Sequence, residues 1–285
     1  MRDTLRHLRT SLRGLYPPRE AEAIIRLIFE HLKGWSAVDL ALHEQEPLSD
    51  FMRGKVEAIL ERLMRHEPIQ YVTGRARFYG LDLAVSPAVL IPRPETEELV
   101  EMIVRESEGR PDLRVLDAGT GSGCIALALA RNLRFPQVTA IDVSREALEV
   151  ARANAKALRC HVDFRREDML ALPAQAEIWD IIVSNPPYVD RSEAAQMEAN
   201  VLEHEPHSAL FVPDEDPLLF YRALGEYGIR ALVPGGRMYL EINPRHVGEL
   251  VTMLEGQGYV RVESHRDMCG RERFMTAGRP GEDKG

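Results

Sequence analysis

The sequence carries one short segment suited to holding a planar amino group, Asn-Pro-Pro-Tyr at residues 185–188, directly after an apolar run. The Asn185 amide offers a carbonyl oxygen, and Pro186 offers a backbone carbonyl without an N–H of its own. Two acceptors held by proline rings can receive both hydrogens of an –NH2 group and orient its nitrogen lone pair toward an electrophile. We therefore interpret Asn185 and Pro186 as catalytic, and expect Pro187 and Tyr188 to complete the substrate site, with Tyr188 packing against the planar group.

A glycine-rich turn, Asp-Ala-Gly-Thr-Gly-Ser-Gly, occupies residues 117–123 and favours a bound nucleoside. Its glycines permit a tight turn and a close approach of the backbone to a ligand. A dinucleotide fingerprint would need a further glycine where the chain has Cys124, which disfavours NAD or FAD. Asp142 follows the next strand and could accept both ribose hydroxyls, or could be only an acidic residue at a helix N-terminus. Turn and acid together fit S-adenosylmethionine.

The segment Glu-Asp-Met at residues 167–169 follows the third strand and suits an adenine ring, although such a segment can also be a simple turn. The carboxylate of Asp168 would face the adenine edge, and the soft side chain of Met169 its face. The predicted cofactor-binding residues are therefore Gly119, Thr120, Gly121, Ser122, Gly123, Asp142, Asp168, Met169 and Asn185.

From Pro92 onward the chain alternates strands and helices, which predicts an α/β domain with an open, mostly parallel sheet covered on both sides. Ligands of such sheets bind beyond the carboxyl ends of the strands, where all three segments above are expected to lie. The predicted strands are Leu113–Ala118, Val138–Asp142, Val162–Arg165 and Trp179–Ser184, and the predicted helices are Cys124–Leu133 and a Ser144-capped helix ending near Leu158. Residues 189–217 are expected to form a long irregular connection.

Residues 1–67 show only helical spacing of apolar side chains and predict a small helical bundle, with Ser36 and Ser49 as helix N-caps. Pro68 ends that run. The segments Ile69–Val72 and Phe78–Val85, separated by Gly74, predict a β-hairpin. We thus expect a helical domain over 1–67, a hairpin linker over 68–91, a catalytic domain over 92–278 and a polar tail over 279–285.

The charge of the chain disfavours a protein that grips nucleic acid, since that affinity comes from clustered Lys and Arg on phosphates. The net charge is −9, with 13 basic and 12 acidic residues in 1–85 and 23 against 33 in 86–285. No stretch approaches the roughly 20 apolar residues of a membrane span. The chain has three cysteines without CxxC spacing, which favours reduced thiols and a cytoplasmic protein.

With these motifs in view, the sequence resembles the release factor glutamine methyltransferases (the PrmC/HemK family) over nearly its whole length. The further segments that carry the resemblance are Pro-Ile-Gln-Tyr-Val-Thr-Gly at 68–74, Phe-Tyr-Gly at 78–80, Pro-Arg-Pro-Glu-Thr-Glu at 92–97, Glu-Pro followed by Ala-Leu-Phe within 205–211, and Asp-Met-Cys-Gly-Arg-Glu-Arg at 267–273.

The resemblance implies a Class I methyltransferase fold, Rossmann-like with a mostly parallel seven-stranded sheet, behind a small N-terminal helical domain. It implies N5-methylation of the glutamine in the Gly-Gly-Gln motif of class I peptide chain release factors, in support of translation termination. S-adenosylmethionine would be the methyl donor, with no metal, and the helical domain would contact the release factor. Residues 92–96 would help to shape the site.

Two departures from the family pattern stand out. Residues 241–246, Glu-Ile-Asn-Pro-Arg-His, lack the glycine and glutamine more usual there, and Met169 stands where many members carry an aromatic residue. Neither departure touches residues 185–188, so we expect the amide-holding loop to be intact.

Two other functions remain open at this point. A nucleic-acid amino methyltransferase acting on adenine N6 or cytosine N4 would present the same –NH2 group, but such enzymes usually carry a basic recognition region. A sensor that binds cofactor and release factor without transfer would have no need of Asn-Pro-Pro-Tyr. We therefore expect no membrane and no direct nucleic-acid partner.

Overall fold

The computed structural model describes residues 1–173 and 176–281, and its chain divides into two compact units. One comprises Met1–Arg75 with Met197–His204, and the other Ala76–Gln196 with Glu205–Gly285. The division follows residue 75 rather than the predicted residue 67, and a distant segment joins the helical unit. Of the polar tail predicted at 279–285, residues 282–285 lie outside the described part of the chain.

Helices and short strands alternate through most of the sequence. The helices are α1 (Arg2–Leu12), α2 (Pro18–Lys33), α3 (Ala37–Leu42), α4 (Asp50–Leu63), α5 (Ile69–Thr73), α6 (Pro94–Glu106), α7 (Cys124–Asn132), α8 (Arg145–Leu158), α9 (Ala199–His204), α10 (His207–Leu210), α11 (Leu219–Ala231) and α12 (Val247–Gly256). The strands are β1 (Arg75–Phe78), β2 (Leu81–Ala84), β3 (Arg114–Ala118), β4 (Gln137–Asp142), β5 (Asp163–Arg166), β6 (Trp179–Ser184), β7 (Val189–Asp190), β8 (Phe211–Val212), β9 (Leu232–Glu241), β10 (Val260–Arg266) and β11 (Glu272–Gly278). Within residues 1–173 and 176–281, no helix combines the length and apolarity that crossing a bilayer requires.

The helical unit is built as its apolar spacing predicts. Leu5, Leu8 and Leu12 of α1 are buried, and they share one cluster with the apolar faces of α2 and α4. Both predicted caps are confirmed: the hydroxyl of Ser36 accepts from an N–H in the first turn of α3, and that of Ser49 from an N–H of α4. These bonds satisfy N–H groups that a helix start leaves unpaired.

The strand predicted over residues 69–72 is wrong, since Ile69–Thr73 forms the short helix α5. A run of four apolar residues does not distinguish a strand from a buried helical turn. Gly74, with φ of 68°, ends the helix in the left-handed conformation. The hairpin consists of β1 and β2 instead, and the residues between them, Tyr79 and Gly80, have φ of 47° and 73°, as a tight hairpin turn requires.

The second unit is organised around a seven-stranded sheet in the order β10-β11-β9-β6-β3-β4-β5. Strands β9, β6, β3, β4 and β5 run parallel, whereas β11 is antiparallel to β9 and β10. This confirms the α/β class and the mostly parallel seven-stranded sheet of a Class I methyltransferase. The predicted strand Trp179–Ser184 is correct at both ends, and the three before it differ by one residue at one or both ends.

Successive side chains of the central strands point to opposite faces of the sheet and pack into two separate cores. Val115, Ile181 and Val183 join one buried cluster, whereas Leu116 and Ile182 join the other. Helices cover each face, so the carboxyl ends of the strands are left to carry the functional loops. The connection predicted as irregular over 189–217 contains short elements, of which β7 and β8 pair in parallel.

Asn154 of α8 ties the hairpin to the glycine-rich turn. Its side chain is buried; Oδ1 accepts from the Ala84 N–H at 2.7 Å, and Nδ2 donates to the carbonyls of Ala84 at 3.0 Å and Ser122 at 2.9 Å. One amide thus satisfies three backbone groups from two segments.

Replacing Asn154 with alanine should lower the free energy of unfolding of the second unit by about 2 kcal/mol or more, because each unsatisfied buried polar group costs about 1–3 kcal/mol. Urea unfolding in a Trp35→Phe background, where Trp179 is the remaining tryptophan, measures this. Asn132→Ala is the matched control, since among the described residues the exposed side chain of Asn132 donates only to the Ala128 carbonyl. Equal small effects from both substitutions would contradict the assignment.

Candidate active site

One cavity of about 520 Å³ lies within the second unit, where the carboxyl ends of β3, β4 and β6 meet. Nearly all predicted cofactor residues line it: Gly119, Thr120, Gly121, Ser122, Asp142, Asp168, Met169 and Asn185. Pro187 of the predicted substrate site lines it as well. Gly123, Pro186 and Tyr188 are not among the lining residues. The structure therefore brings together three segments that the sequence separates, and their roles stay predictions.

Gly119 and Gly123 of the turn are glycines for different structural reasons. At Gly119, with φ of +77°, an added Cβ would lie 2.8 Å from the Met169 methyl carbon, so glycine lets Met169 pack against the turn. At Gly123, with φ of +83°, a Cβ would lie 3.2 Å from the Cβ of Ala151 in α8. The first glycine shapes the cavity, whereas the second permits close packing of helices.

Backbone N–H groups from two segments hold the two carboxylate oxygens of Asp142 in place. Its Oδ2 accepts from the Gly121 N–H and its Oδ1 from the Ser144 N–H, each at 2.9 Å. Burial raises the pKa of the Asp142 carboxyl, and these N–H groups oppose the rise. Each carboxylate oxygen has room for a second donor, so Asp142 can still bind ligand hydroxyls.

The loop after β6 is anchored at several points. The Ser184 hydroxyl donates to the Ala118 carbonyl at 2.6 Å, and Asn185 Nδ2 donates to the Thr96 hydroxyl at 3.2 Å. Tyr188, expected to pack against the acceptor group, instead donates its hydroxyl to Glu241 at 2.8 Å and packs against the core beneath the sheet end. The hydrogen bond to the buried Glu241 carboxyl therefore holds the Tyr188 ring on the core side of the loop, and Tyr188 does not line the cavity.

Comparison with known proteins now identifies the chain. Models of the methyltransferase small domain and of the PrmC N-terminal domain match residues 95–210 and 3–74. A release factor glutamine methyltransferase of Bacteroides thetaiotaomicron is 47% identical over 275 residues, 96% of this chain and 98% of that protein. One of Streptococcus pneumoniae is 42% identical over 260 residues, 90% of this chain and 91% of that protein. The chain belongs to the release factor glutamine methyltransferases.

A solved structure supports the fold of this family member independently. The crystal structure of a methyltransferase from Pyrococcus furiosus matches with a TM-score of 0.52 and 21% identity, over 70% of this chain and 90% of that one. The N-terminal family match ends at residue 74, one residue before the division between the two compact units. Residues 69–73, predicted as part of a linker, thus belong to the helical unit.

In this methyltransferase the atypical segment after β9 supports the loop from behind. Asn243 Nδ2 donates to the Tyr188 carbonyl at 3.0 Å and to Glu193 at 2.8 Å, and His246 Nε2 lies 2.9 Å from an Asp190 oxygen. Tyr188 at the end of the loop, and Asp190 and Glu193 beyond it, are therefore bonded to residues 241–246. The loop is thus supported although this segment departs from the family pattern.

A half-buried ion pair joins Arg93, which lines the cavity, to Glu205, the residue before the lining residue Pro206. Arg93 lies 2.6 Å from Glu205, whose other oxygen accepts from the Ile91 N–H at 3.2 Å.

The motif at 205–211 indicated this part of the cavity wall only through resemblance, and Phe220 in the first turn of α11 had no sequence signal. The lining residues that sequence reasoning did not assign include Ala88, Val89, Leu90, Val143, Leu170, Pro206, Ser208, Ala209 and Phe220.

Asp117, at the end of β3, was also missed as a site residue. It is fully buried; its Oδ2 accepts from the Thr120 hydroxyl at 2.6 Å and the Ala126 N–H at 3.1 Å. Within the described residues, Oδ1 has no hydrogen-bond partner. Burial raises the pKa of Asp117 to about 7, with its hydrogen bonds opposing the rise and nearby Asp142 adding to it. This carboxyl fixes the turn to α7.

The raised pKa of Asp117 makes the stability of the fold depend on pH. Between its ordinary pKa near 3.8 and about 7, the folded chain keeps a proton that the unfolded chain has lost. The free energy of unfolding therefore falls as pH rises through this window. Asp117→Asn should remove that slope, as urea unfolding from about pH 4 to about pH 8 would measure. Parallel curves for the variant and the wild type would contradict this pKa.

Proposed function

We propose that this family member transfers a methyl group from S-adenosylmethionine to the N5 side-chain nitrogen of the glutamine in the Gly-Gly-Gln motif of class I release factors. The observation that carries the proposal is that Asn185 and the nucleoside-type residues line one cavity. The names of the relatives support release factors as the substrate. In this proposal the helical unit contacts the release factor, the protein acts in the cytoplasm, and neither a metal nor a nucleic acid takes part.

The residues of the cavity fit the methyl donor. Asp142 supplies acceptors for ribose hydroxyls, and Met169 packs on the turn beside it. Val143 and Leu170 are 58% and 42% exposed although apolar, and both line the cavity, where a planar adenine would cover them. When bound, S-adenosylmethionine supplies an electrophilic methyl group whose bond to sulfur breaks, leaving the electron pair on sulfur, as the bond to the amide nitrogen forms.

The work of the protein in this reaction is orientation. An amide nitrogen is a poor nucleophile because its lone pair is delocalised, and holding it at the attack position can contribute about 7–11 kcal/mol. The Asn185 side-chain carbonyl and the Pro186 backbone carbonyl accept its two hydrogens. These bonds strengthen as positive charge develops on nitrogen. The methylated nitrogen then loses one proton, and it is acidic enough that water accepts it without a protein base.

The methyl acceptor can be identified directly. The full chain is incubated with radiolabelled S-adenosylmethionine, a class I release factor and DNA or RNA. We expect label on the release factor alone, and none on a release factor whose Gly-Gly-Gln glutamine is replaced by alanine. Label on nucleic acid would support an amino methyltransferase of bases instead, and absence of all label would support a sensor.

Two substitutions separate transfer from cofactor binding. Asn185→Ala should lower the single-turnover rate at least about 100-fold, because it removes a group that stabilises developing charge. Its Kd for S-adenosylmethionine, measured by calorimetry, should stay within about threefold of the wild type. Asp142→Ala should raise that Kd at least about tenfold, the equivalent of about 1.4 kcal/mol. Near-normal turnover in Asn185→Ala would contradict the assignment.

A further inference from the structure

A chain of hydrogen bonds connects Asn185 through Thr96, which also lines the cavity, to the buried carboxyl group of Glu241. Asn185 Nδ2 donates to the Thr96 hydroxyl at 3.2 Å, and that hydroxyl donates to Glu241 Oε2 at 2.6 Å. The other oxygen, Oε1, accepts from the Tyr188 hydroxyl at 2.8 Å. Thr96 and Glu241 are both buried. The chain therefore ends on a carboxylate that accepts at each of its oxygens.

The carboxylate sets the direction of every bond in this chain. An ionised Glu241 can only accept, so the single hydrogen of the Thr96 hydroxyl points toward it. The Thr96 oxygen then has only lone pairs left for Asn185. A side-chain amide offers hydrogens at one end and a carbonyl oxygen at the other, so Asn185 must turn its Nδ2 toward Thr96.

Two hydrogen-bond donors and one positive charge limit the rise that burial causes in the pKa of the Glu241 carboxyl. Burial raises the pKa of the Glu241 carboxyl; the hydrogen bonds from Thr96 and Tyr188 and the positive charge of Arg273 act against that rise, and Glu95 adds to it. Arg273 lies on β11, next to the strand that ends in Glu241. Donors and a cation thus face this carboxylate from α6, the loop after β6, and β11.

We propose that Thr96 and Glu241 are positioning residues that fix the Asn185 amide with Oδ1 facing away from Thr96, as an acceptor for the –NH2 group of the substrate. This inference rests on the proposed role of Asn185. With the amide reversed, Asn185 would present hydrogens to a group that itself carries only hydrogens. The chain of hydrogen bonds therefore selects a substrate group that donates a hydrogen to Asn185 Oδ1, as a primary amide does.

Thr96→Val tests the proposal because it keeps the shape of the side chain and removes the hydroxyl. The two orientations of Asn185 then compete, and kcat should fall about 10- to 100-fold, the scale of a misplaced reacting group. The KM for the release factor and the Kd for S-adenosylmethionine should stay within about threefold. Thr96→Ser, which restores the hydroxyl, should return kcat to within about threefold of the wild type.

Glu241→Gln reverses the direction of the chain without changing its shape. The carbonyl oxygen of the new glutamine side chain accepts from the Tyr188 hydroxyl, as the carboxylate oxygen did. The amide N–H of the glutamine then points toward the Thr96 oxygen. The Thr96 hydrogen then turns toward Asn185 and favours Oδ1 there. We expect kcat to fall at least as far as in Thr96→Val, whereas a role in packing alone predicts little change for an isosteric substitution.

Thr139→Val, a buried threonine of β4 outside the cavity, is the matched control and should keep kcat within about twofold. Near-normal kcat in Thr96→Val or Glu241→Gln, or a Thr96→Ser variant as impaired as Thr96→Val, would overturn the proposal. Asn185→Ala separates the two levels of the account. If Asn185→Ala is inactive and Thr96→Val is active, only the positioning role fails. If Asn185→Ala is active, the catalytic role of Asn185 fails and the positioning role with it. If the wild type does not methylate the release factor, the proposed function itself fails.

Discussion

A hydroxyl group has one hydrogen, and the direction of that hydrogen at Thr96 decides which end of the Asn185 side-chain amide faces Thr96. The hydrogen points to Glu241, so the amide of Asn185 has one acceptable orientation. Burial makes this constraint strong, because an unpaired polar group away from water is costly. In the proposed function, an Asn185 amide that rotated freely would part of the time present its hydrogens, rather than its carbonyl oxygen, to the –NH2 group of the substrate.

The order of the strands makes this network possible. Strands β9, β6 and β3 are neighbours and run parallel. Glu241, the last residue of β9, therefore lies at the same edge as Asn185 and Gly119, which follow the ends of β6 and β3. Asp142 ends β4 on the far side of β3. The residues proposed to hold the methyl acceptor therefore lie between β9 and β6, and the residues proposed to bind the cofactor lie between β3 and β4, at the edge where open parallel sheets bind ligands.

Local sequence was sufficient for much of this arrangement. Apolar runs located β3, β4 and β6, and the polar segments after them were correctly expected at one edge of the sheet. The Asn-Pro-Pro-Tyr segment predicts its own chemistry because the two acceptors lie next to each other in the chain, and that role stays a prediction. The helix at Ile69–Thr73 was missed because four apolar residues fit either structure.

The supporting residues could not be found in this way. Thr96 and Glu241 are 145 positions apart, and neither has a neighbour in sequence that reveals a bond between them. Tyr188 was expected to face the substrate because no local pattern shows that a buried carboxylate lies behind it. Asp117 was interpreted only as part of the glycine-rich turn, because the sequence does not show the complete burial that raises its pKa. Long-range pairing is decided by the fold, and single-sequence patterns do not report it.

The central claim is that Thr96 acts through Asn185, and a double-mutant cycle on the single-turnover rate of methyl transfer tests it most directly. Rates are measured with radiolabelled S-adenosylmethionine and a release factor for the wild type, Thr96→Val, Asn185→Ala and the double variant. The account predicts that Thr96→Val slows the wild type about 10- to 100-fold but slows Asn185→Ala by less than about twofold. An equal loss in both backgrounds would contradict it.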